Sequence, residues 1–324
     1  MSTSSLVLGG GGFIGGHLSR ELKNRGDHVV TADVKPLEEW HQRVGDLQVE
    51  EFDVGDPGNF DFLKSLSHDA ERVFILAADM GGMGFIETNK LACMLTTRTT
   101  TAALVAAMEA EVPDVFYASS ACVYPSYRQD EAQIPGLKER DAYPADPEDG
   151  YGWEKLFGER LCGHITEETS TTCHVARYHN VYGDLGTYDG GREKAPAAIC
   201  RKVAQAVLSG DHTIDIWGDG EQTRSFMYVD DCVEGTIRLI ESDVIEPINL
   251  GSDRMVTINE LVTIVEGIAG VRLERRYIDG PLGVRGRNSD NELIEQHLGW
   301  SPSIALEDGL ARTYRWVYDE LTGA

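Results

Sequence analysis

The run Leu6-Val7-Leu8-Gly9-Gly10-Gly11-Gly12-Phe13-Ile14-Gly15-Gly16-His17-Leu18 constrains this chain more than any other stretch, because an apolar segment passes through glycines directly into a helical pattern. Gly9, Gly12 and Gly15 set a GxxGxxG spacing. Positions without side chains let a backbone turn sharply and approach a diphosphate, whose charge then sits at the helix N-terminus. A glycine cluster by itself also describes a chance turn or a linker. Here the next apolar segment ends in Thr31-Ala32-Asp33, which puts a carboxylate 18 residues beyond Gly15, where it can accept hydrogen bonds from an adenosine ribose diol.

Asp33 would repel a 2′-phosphate, so the spacing favours NAD over NADP even with Lys35 nearby. Gly9, Gly12, Phe13, Ile14 and Gly15 form the expected cradle. Asp53, at the end of Glu51-Phe52-Asp53, has two readings: a contact to the adenine, or a residue that closes a strand-end turn.

Short runs carrying Val, Ile, Phe and Tyr alternate with helical stretches through the first half, the signature of βαβ units. Strands are expected at Ser5–Leu8, His28–Asp33, Gln48–Asp53, Arg72–Leu76, Asp114–Ser119 and His174–Tyr178, buried on both faces. Helices are expected at Gly15–Arg25, Asn89–Glu111 and Tyr151–Glu167. After about Asn180 the texture changes to loops punctuated by Gly and Pro. The expected fold is α/β: a Rossmann-type doubly wound parallel sheet over residues 1–179, with segments around 220–250 returning to it, and a smaller interleaved substrate-binding portion over 180–324.

Composition narrows the partners. With 54 acidic against 29 basic residues the net charge is −25, which disfavours nucleic acid and anionic membranes by long-range repulsion. The longest uninterrupted apolar stretch, Ala102–Met108, falls short of the ~20 residues of a bilayer span. No basic residue precedes the first apolar run, unlike a secretory signal, and a cytoplasmic protein is expected. The six cysteines are scattered without a CxxC pair, so neither a metal site nor a disulfide framework is expected. Only 8 of the basic residues are Lys, which fits equally a surface suited to high salt and a merely acidic enzyme.

In Gly150-Tyr151-Gly152-Trp153-Glu154-Lys155 the phenol and the ammonium fall four residues apart, on one helical face. A phenol with pKa ~10 is a poor base at neutral pH, and an adjacent ammonium stabilises the phenolate, so the pair can take a proton from a sugar hydroxyl. YxxxK alone is common by chance. It gains weight downstream of the glycine cradle and of Ser119-Ser120, which ends an expected central strand.

The glycine fingerprint with Ser120, Tyr151 and Lys155 resembles the extended short-chain dehydrogenase/reductases, and Trp217 to Phe226 with Tyr228 to Asp231 resembles their nucleotide-sugar branch. Four further blocks narrow the resemblance to the GDP-mannose 3,5-epimerase family: Ala77 to Ile86, Ser119 to Pro125, Gly191 to Ala198 and Gly283 to Asn291. The likeness runs to Trp300 and departs in the acidic surface and in an end at Ala324, where the further tail of plant members is not expected, which puts one outer nucleotide contact, and not the chemistry, in question.

Oxidation of a sugar at C4 leaves a ketone that acidifies the C3 and C5 protons, and epimerisation then needs a base on one face and an acid on the other. Cys122 stands where related dehydratases carry an acid, and a neighbouring cation can lower a thiol from ~8.5 into the range of a base. Lys194 is the matching proton donor, in roles the resemblance also implies. As bare residues, Cys122 reads as a small buried hydrophobe and Lys194 as a solvated lysine. Arg224 and Arg287 suit forked contacts to a diphosphate, with Lys202 as a point charge, and Arg285 suits either that or an ion pair with a surface acid. Gly81 and Gly82 allow close backbone approach. The resemblance adds Ala121, Asn180, Glu193, Ala195, Gln222 and Thr223 to the substrate site, and implies a homodimer through the helices at Asn89–Glu111 and Tyr151–Glu167.

Three functions are thus in play: a GDP-mannose 3,5-epimerase, another nucleotide-sugar 4-epimerase or reductase that leaves Cys122 and Lys194 idle, and a non-catalytic NAD-binding sensor. The intact Ser120, Tyr151 and Lys155 set argues against the last.

Overall fold

The computed structural model describes residues 2–45 and 47–323; Met1 and Ala324, the ends of the two expected domains, lie outside the described residues. Its centre is a seven-stranded, all-parallel sheet built from β1 (Ser4–Leu8), β2 (His28–Asp33), β3 (Gln48–Glu51), β4 (Arg72–Ile75), β5 (Asp114–Ser120), β6 (Thr172–Tyr178) and a last strand, Ile248–Leu250. Their spatial order is β3-β2-β1-β4-β5-β6 and then Ile248–Leu250, which pairs with β6 through Ala176 and Ile248. The order reverses between β1 and β4, and a doubly wound sheet opens a crevice at that point.

Both faces are covered, as parallel sheets require. In β1, Leu6 and Leu8 face one apolar cluster and Val7 the other; in β5, Val115 and Tyr117 oppose Phe116 and Ala118 in the same way. The helices Phe60–His68, Thr97–Glu109 and Asp149–Glu168 cover the first face. Helix α1 (Phe13–Asn24) and the helix Val229–Ile240 cover the second, where the core runs on into Ala195–Ser209, Ile258–Ala269 and Leu306–Thr322.

Four sequence expectations need correction. The strand expected to reach Asp53 ends at Glu51, and Asp53 closes a turn by accepting a hydrogen bond from Gly55 N at 2.8 Å. The helix expected over Asn89–Glu111 is two helices, Lys90–Leu95 and Thr97–Glu109, joined at Thr96, whose amide donates to Cys93 O three residues back and whose hydroxyl accepts from Asp79 N at 3.1 Å. The helix Phe60–His68 was not expected; an amphipathic segment of nine residues is too short to stand out. Finally, the run Lys90–Glu109, mean hydropathy 1.3, is long and apolar enough to cross a membrane by length and composition, since its uncharged threonines interrupt the apolar stretch without making it hydrophilic. In the fold it buries Thr100, Ala103, Leu104, Ala106 and Ala107 against the sheet.

Candidate active site

A cavity of about 850 Å³ opens at the C-terminal ends of β1, β2, β4, β5 and β6, at the reversal of strand order. It is lined by Gly9, Gly12, Phe13, Ile14 and Gly15, by Asp33 and Asp53, by Gly81, and by Ser120, Tyr151, Lys155 and Lys194. One space thus joins the expected cradle to the expected hydroxyl-oxidising set.

The cradle fits a dinucleotide. Gly9 has φ +100°, and a Cβ on Gly15 would meet the Gly9 carbonyl oxygen at 2.1 Å, so side chains would fill the turn. Helix α1 begins there with neither a side-chain cap nor an acid in its first turn, which leaves its amide groups free for an anion. Asp33 is buried, with Gly11 N donating to one carboxylate oxygen at 2.9 Å and Lys35 N to the other at 3.0 Å. Two amides leave lone pairs for a ribose diol.

Tyr151 and Lys155 project from the helix Asp149–Glu168. Gly152 brings that helix against the turn after β5: a Cβ there would meet the Cys122 carbonyl oxygen at 2.3 Å. Lys155 Nζ lies 5.6 Å from the centre of the Tyr151 ring and 3.3 Å from the buried Glu154 carboxylate. Burial, reinforced by Cys122 and Glu154, pushes the Tyr151 phenol well above its usual range, while Ser120 opposes the shift. That corrects the expected lowering: burial is the largest cause, and the negative charges of Cys122 and Glu154 add to it. Glu154 also accepts from Thr100 Oγ1 at 2.6 Å.

Cys122 is buried in the turn Ala121–Val123, where its amide donates to Ser120 Oγ at 3.2 Å. Burial and the Glu148 carboxylate push its thiol up to about 11 against the pull of Arg287, so the expected lowering by a cation does not occur in the resting protein. Burial pulls the Lys194 ammonium down, and the negative charge of a Cys122 thiolate would raise it.

The remaining expected residues lie off this cavity. Arg224 and Arg287 are register neighbours on two parallel strands, Thr223–Ser225 and Gly286–Arg287. Burial, then Arg287, lowers Arg224 to about 10. Arg224 donates to Val284 O at 2.7 Å, whereas Arg287 donates to Gln129 Oε1 and Glu148 Oε2, both at 2.7 Å. Arg287 alone is bonded to the Glu148 carboxylate, which acts on Arg224 only through its charge. Thr223 donates to Ala132 O, and Gln222 to Trp217 O at 3.2 Å. Asn180 holds φ +42° and donates to Ser225 O at 3.0 Å; asparagine tolerates that left-handed backbone. Glu193 pairs with Arg201 at 3.1 Å, Ala195 opens the helix Ala195–Ser209, and Lys202 donates to Asp215 O at 2.8 Å. Arg285 takes the ion-pair alternative, bidentate to Asp219 at 2.8 and 2.9 Å.

Sequence reasoning missed Glu148, Glu154 and Gln129. Glu148 reads as a helix-start acid, and its contacts to residues 122 and 287 leave no short-range spacing to detect. Among the described residues no cluster of three or more His, Cys, Asp or Glu could hold a metal ion.

The model of the NAD dependent epimerase/dehydratase family matches residues 5–251. GDP-mannose 3,5-epimerase 1 of Oryza sativa subsp. indica is 47% identical over 97% of this chain and 82% of its own length, and GDP-mannose 3,5-epimerase of Arabidopsis thaliana is 44% identical over the same shares. Among solved structures, the UDP-glucuronic acid 4-epimerase of Bacillus cereus in complex with UDP-glucuronic acid and NAD superposes with a TM-score of 0.81 at 25% identity, covering 98% of this chain and 100% of the other.

Proposed function

We propose that this chain, which belongs to the NAD dependent epimerase/dehydratase family, is a GDP-mannose 3,5-epimerase that converts GDP-D-mannose to GDP-L-galactose, with GDP-L-gulose as a further product. One observation carries the reading beyond a 4-epimerase. Lys194 lines the same cavity as Ser120, Tyr151 and Lys155, and Cys122 lies within electrostatic reach of it, so an acid–base pair accompanies the hydroxyl-oxidising set.

The glycine turn and Asp33 would hold NAD, which when bound would supply hydride transfer to and from sugar C4. Tyr151 takes the C4 hydroxyl proton as the phenolate left once its own proton has passed to solvent, with the Lys155 ammonium beside the ring and Ser120 favouring the ionised form. Once C4 is a ketone, the C5 and C3 protons become acidic. Cys122 removes them, and Lys194, whose burial favours release of its proton, delivers one to the opposite face. Tyr151 then returns its proton to the C4 oxygen.

The diphosphate goes to Arg224 and Arg287, whose two charges Glu148 only half offsets. Gly81, Ala121, Asn180, Glu193, Ala195, Lys202, Gln222 and Thr223 surround the rest of the nucleotide-sugar. We further infer a homodimer through Leu91, Leu95, Trp153 and Phe157, exposed apolar side chains on the helices Lys90–Leu95 and Asp149–Glu168. A cytoplasmic setting without membrane or nucleic-acid partners accords with six free, buried thiols and a net charge of −25.

Incubation with a panel of nucleotide-hexoses in deuterated water, followed by NMR of the recovered sugars, tests the activity. Deuterium at C3 and C5 of GDP-mannose supports it. Inversion at C4 without exchange at C3 or C5 would instead identify a 4-epimerase.

A further inference from the structure

Three side chains from distant parts of the sequence close a ring around the sulfur of Cys122. Arg287 Nη1 donates to Cys122 Sγ at 3.4 Å, and Arg287 Nη2 donates to Glu148 Oε2 at 2.7 Å. The thiol and the Glu148 carboxylate, both held by the one guanidinium, complete the ring through their mutual charge interaction, in which the carboxylate pushes the thiol up. The backbone fixes the same arrangement, since Glu148 N donates to the Cys122 carbonyl oxygen at 2.8 Å. Cys122 and Arg287 are buried, and Glu148 is nearly so.

This geometry bears on how the thiol can serve as a base. Loss of its proton to solvent would leave two anions, the thiolate and Glu148, against Arg287 in a site with little water. Transfer of that proton to Glu148 keeps the net charge of the three groups at zero until the sulfur takes the sugar proton, and their positive charge then faces the enolate; a buried site penalises uncompensated charge. Arg287 already touches both acceptors, so it can follow the negative charge from oxygen to sulfur without moving. The other charged groups that bear on the ring are Arg224, which favours the ionised Glu148, and Lys194. The Ser120 hydroxyl also favours the thiolate, while the Tyr151 phenol faces the sulfur.

We propose that Glu148 is the proton acceptor for Cys122: as the sulfur takes a proton from sugar C5 or C3, the thiol's own proton passes to the Glu148 carboxylate, which later releases it to solvent. The bonds balance: S–H and C–H break, O–H and a new S–H form, and the electron pair of the C–H bond moves onto the sugar ketone as an enolate. Glu148 acts through Cys122 and is a positioning residue. The inference rests on the epimerase reading above.

Its test joins two measurements on the full chain. In the first, deuterium uptake at C3 and C5 of GDP-mannose is followed from acid to alkaline pH alongside reduction of the bound nicotinamide. Wild type should exchange at a nearly constant rate across the neutral range. Glu148→Gln should still oxidise C4 but exchange roughly 10²–10⁴-fold more slowly at neutral pH, recovering as pH rises because the thiol proton must then leave to solvent. Glu148→Asp should restore the flat profile at a reduced rate, and it serves alone where the Gln variant does not fold. A Gln variant whose profile runs parallel to wild type, or an Asp variant without a carboxylate-type profile, overturns the proposal. The second measurement needs no substrate: thiolate absorbance against a Cys122→Ser reference gives the ionisation midpoint of Cys122. Glu148→Gln should lower that midpoint by more than one pH unit, and an unmoved midpoint refutes the coupling. If wild type exchanges no hexose proton, the epimerase reading fails, and this titration alone decides whether Glu148 governs the thiol.

Discussion

Lys155 Nζ lies 3.3 Å from Glu154 Oε2, and both side chains are buried, the ammonium 5.6 Å from the centre of the Tyr151 ring. The two charges compensate one another where both side chains are almost wholly buried. Lys155→Met leaves the Glu154 carboxylate uncompensated, which for a broken buried pair costs about 3–5 kcal/mol. Urea unfolding should show a loss of that order, and the double variant Lys155→Met/Glu154→Gln should recover part of it. A loss below about 1 kcal/mol, the worth of an exposed pair, would contradict the compensation.

Cofactor choice rests on Asp33. Its carboxylate, fixed by Gly11 N and Lys35 N, should bind the ribose diol and repel a 2′-phosphate. Calorimetry should find NAD bound more tightly than NADP, and Asp33→Ala should narrow the gap. Equal affinity of wild type for the two would remove the basis for the preference.

A second buried group sets an acid limit. Burial lowers His179 to about 3, although its hydrogen bond to Asn249 opposes the shift. The folded state therefore holds the neutral ring while the unfolded chain, with an ordinary pKa of ~6.5, binds a proton. Stability from this residue is fully present above about pH 6.5 and is lost as pH falls toward about 3, a window worth roughly 4–5 kcal/mol at ~1.4 kcal/mol per unit. His179→Gln should flatten the dependence of stability on pH in that window. An unchanged slope would show that other groups set it.

Particular residues show why some of this could be read from sequence and some could not. The β1 turn and α1 form one continuous segment, and β2 follows at a fixed spacing, so Gly9, Gly15 and Asp33 announce their geometry locally. Tyr151 and Lys155 share a helix face for the same reason. The ring around Cys122 joins residues 122, 148 and 287, and only the folded chain brings them together. The direction of the Cys122 shift was equally hidden, because it is set first by burial and then by the Glu148 carboxylate, which together outweigh the expected cation. Helix boundaries failed at Thr96, where the backbone tightens to a three-residue hydrogen bond that no residue type in the run announces.

Crowded carboxylates should make stability depend on salt. With a net charge of −25, screening that shrinks from ~10 Å at 0.1 M to ~3 Å at 1 M relieves self-repulsion, so Tm should rise with KCl. It would also weaken exposed pairs such as Arg276–Asp215 and Arg254–Glu307. A flat or falling Tm would mean that those pairs dominate and that the surface is that of a merely acidic enzyme.

The most direct test of the account separates oxidation from proton exchange. GDP-mannose is incubated in deuterated water with wild type, Tyr151→Phe and Cys122→Ser, and both the reduced nicotinamide and deuterium at sugar C3 and C5 are followed. Tyr151→Phe should abolish both signals. Cys122→Ser should keep the first and slow the second by about 10²–10⁴-fold, the usual cost of losing a positioned acid or base. Deuterium uptake by the serine variant at the wild-type rate would contradict the account, because the thiol would then not be the base and a 4-epimerase or reductase would describe the chain better.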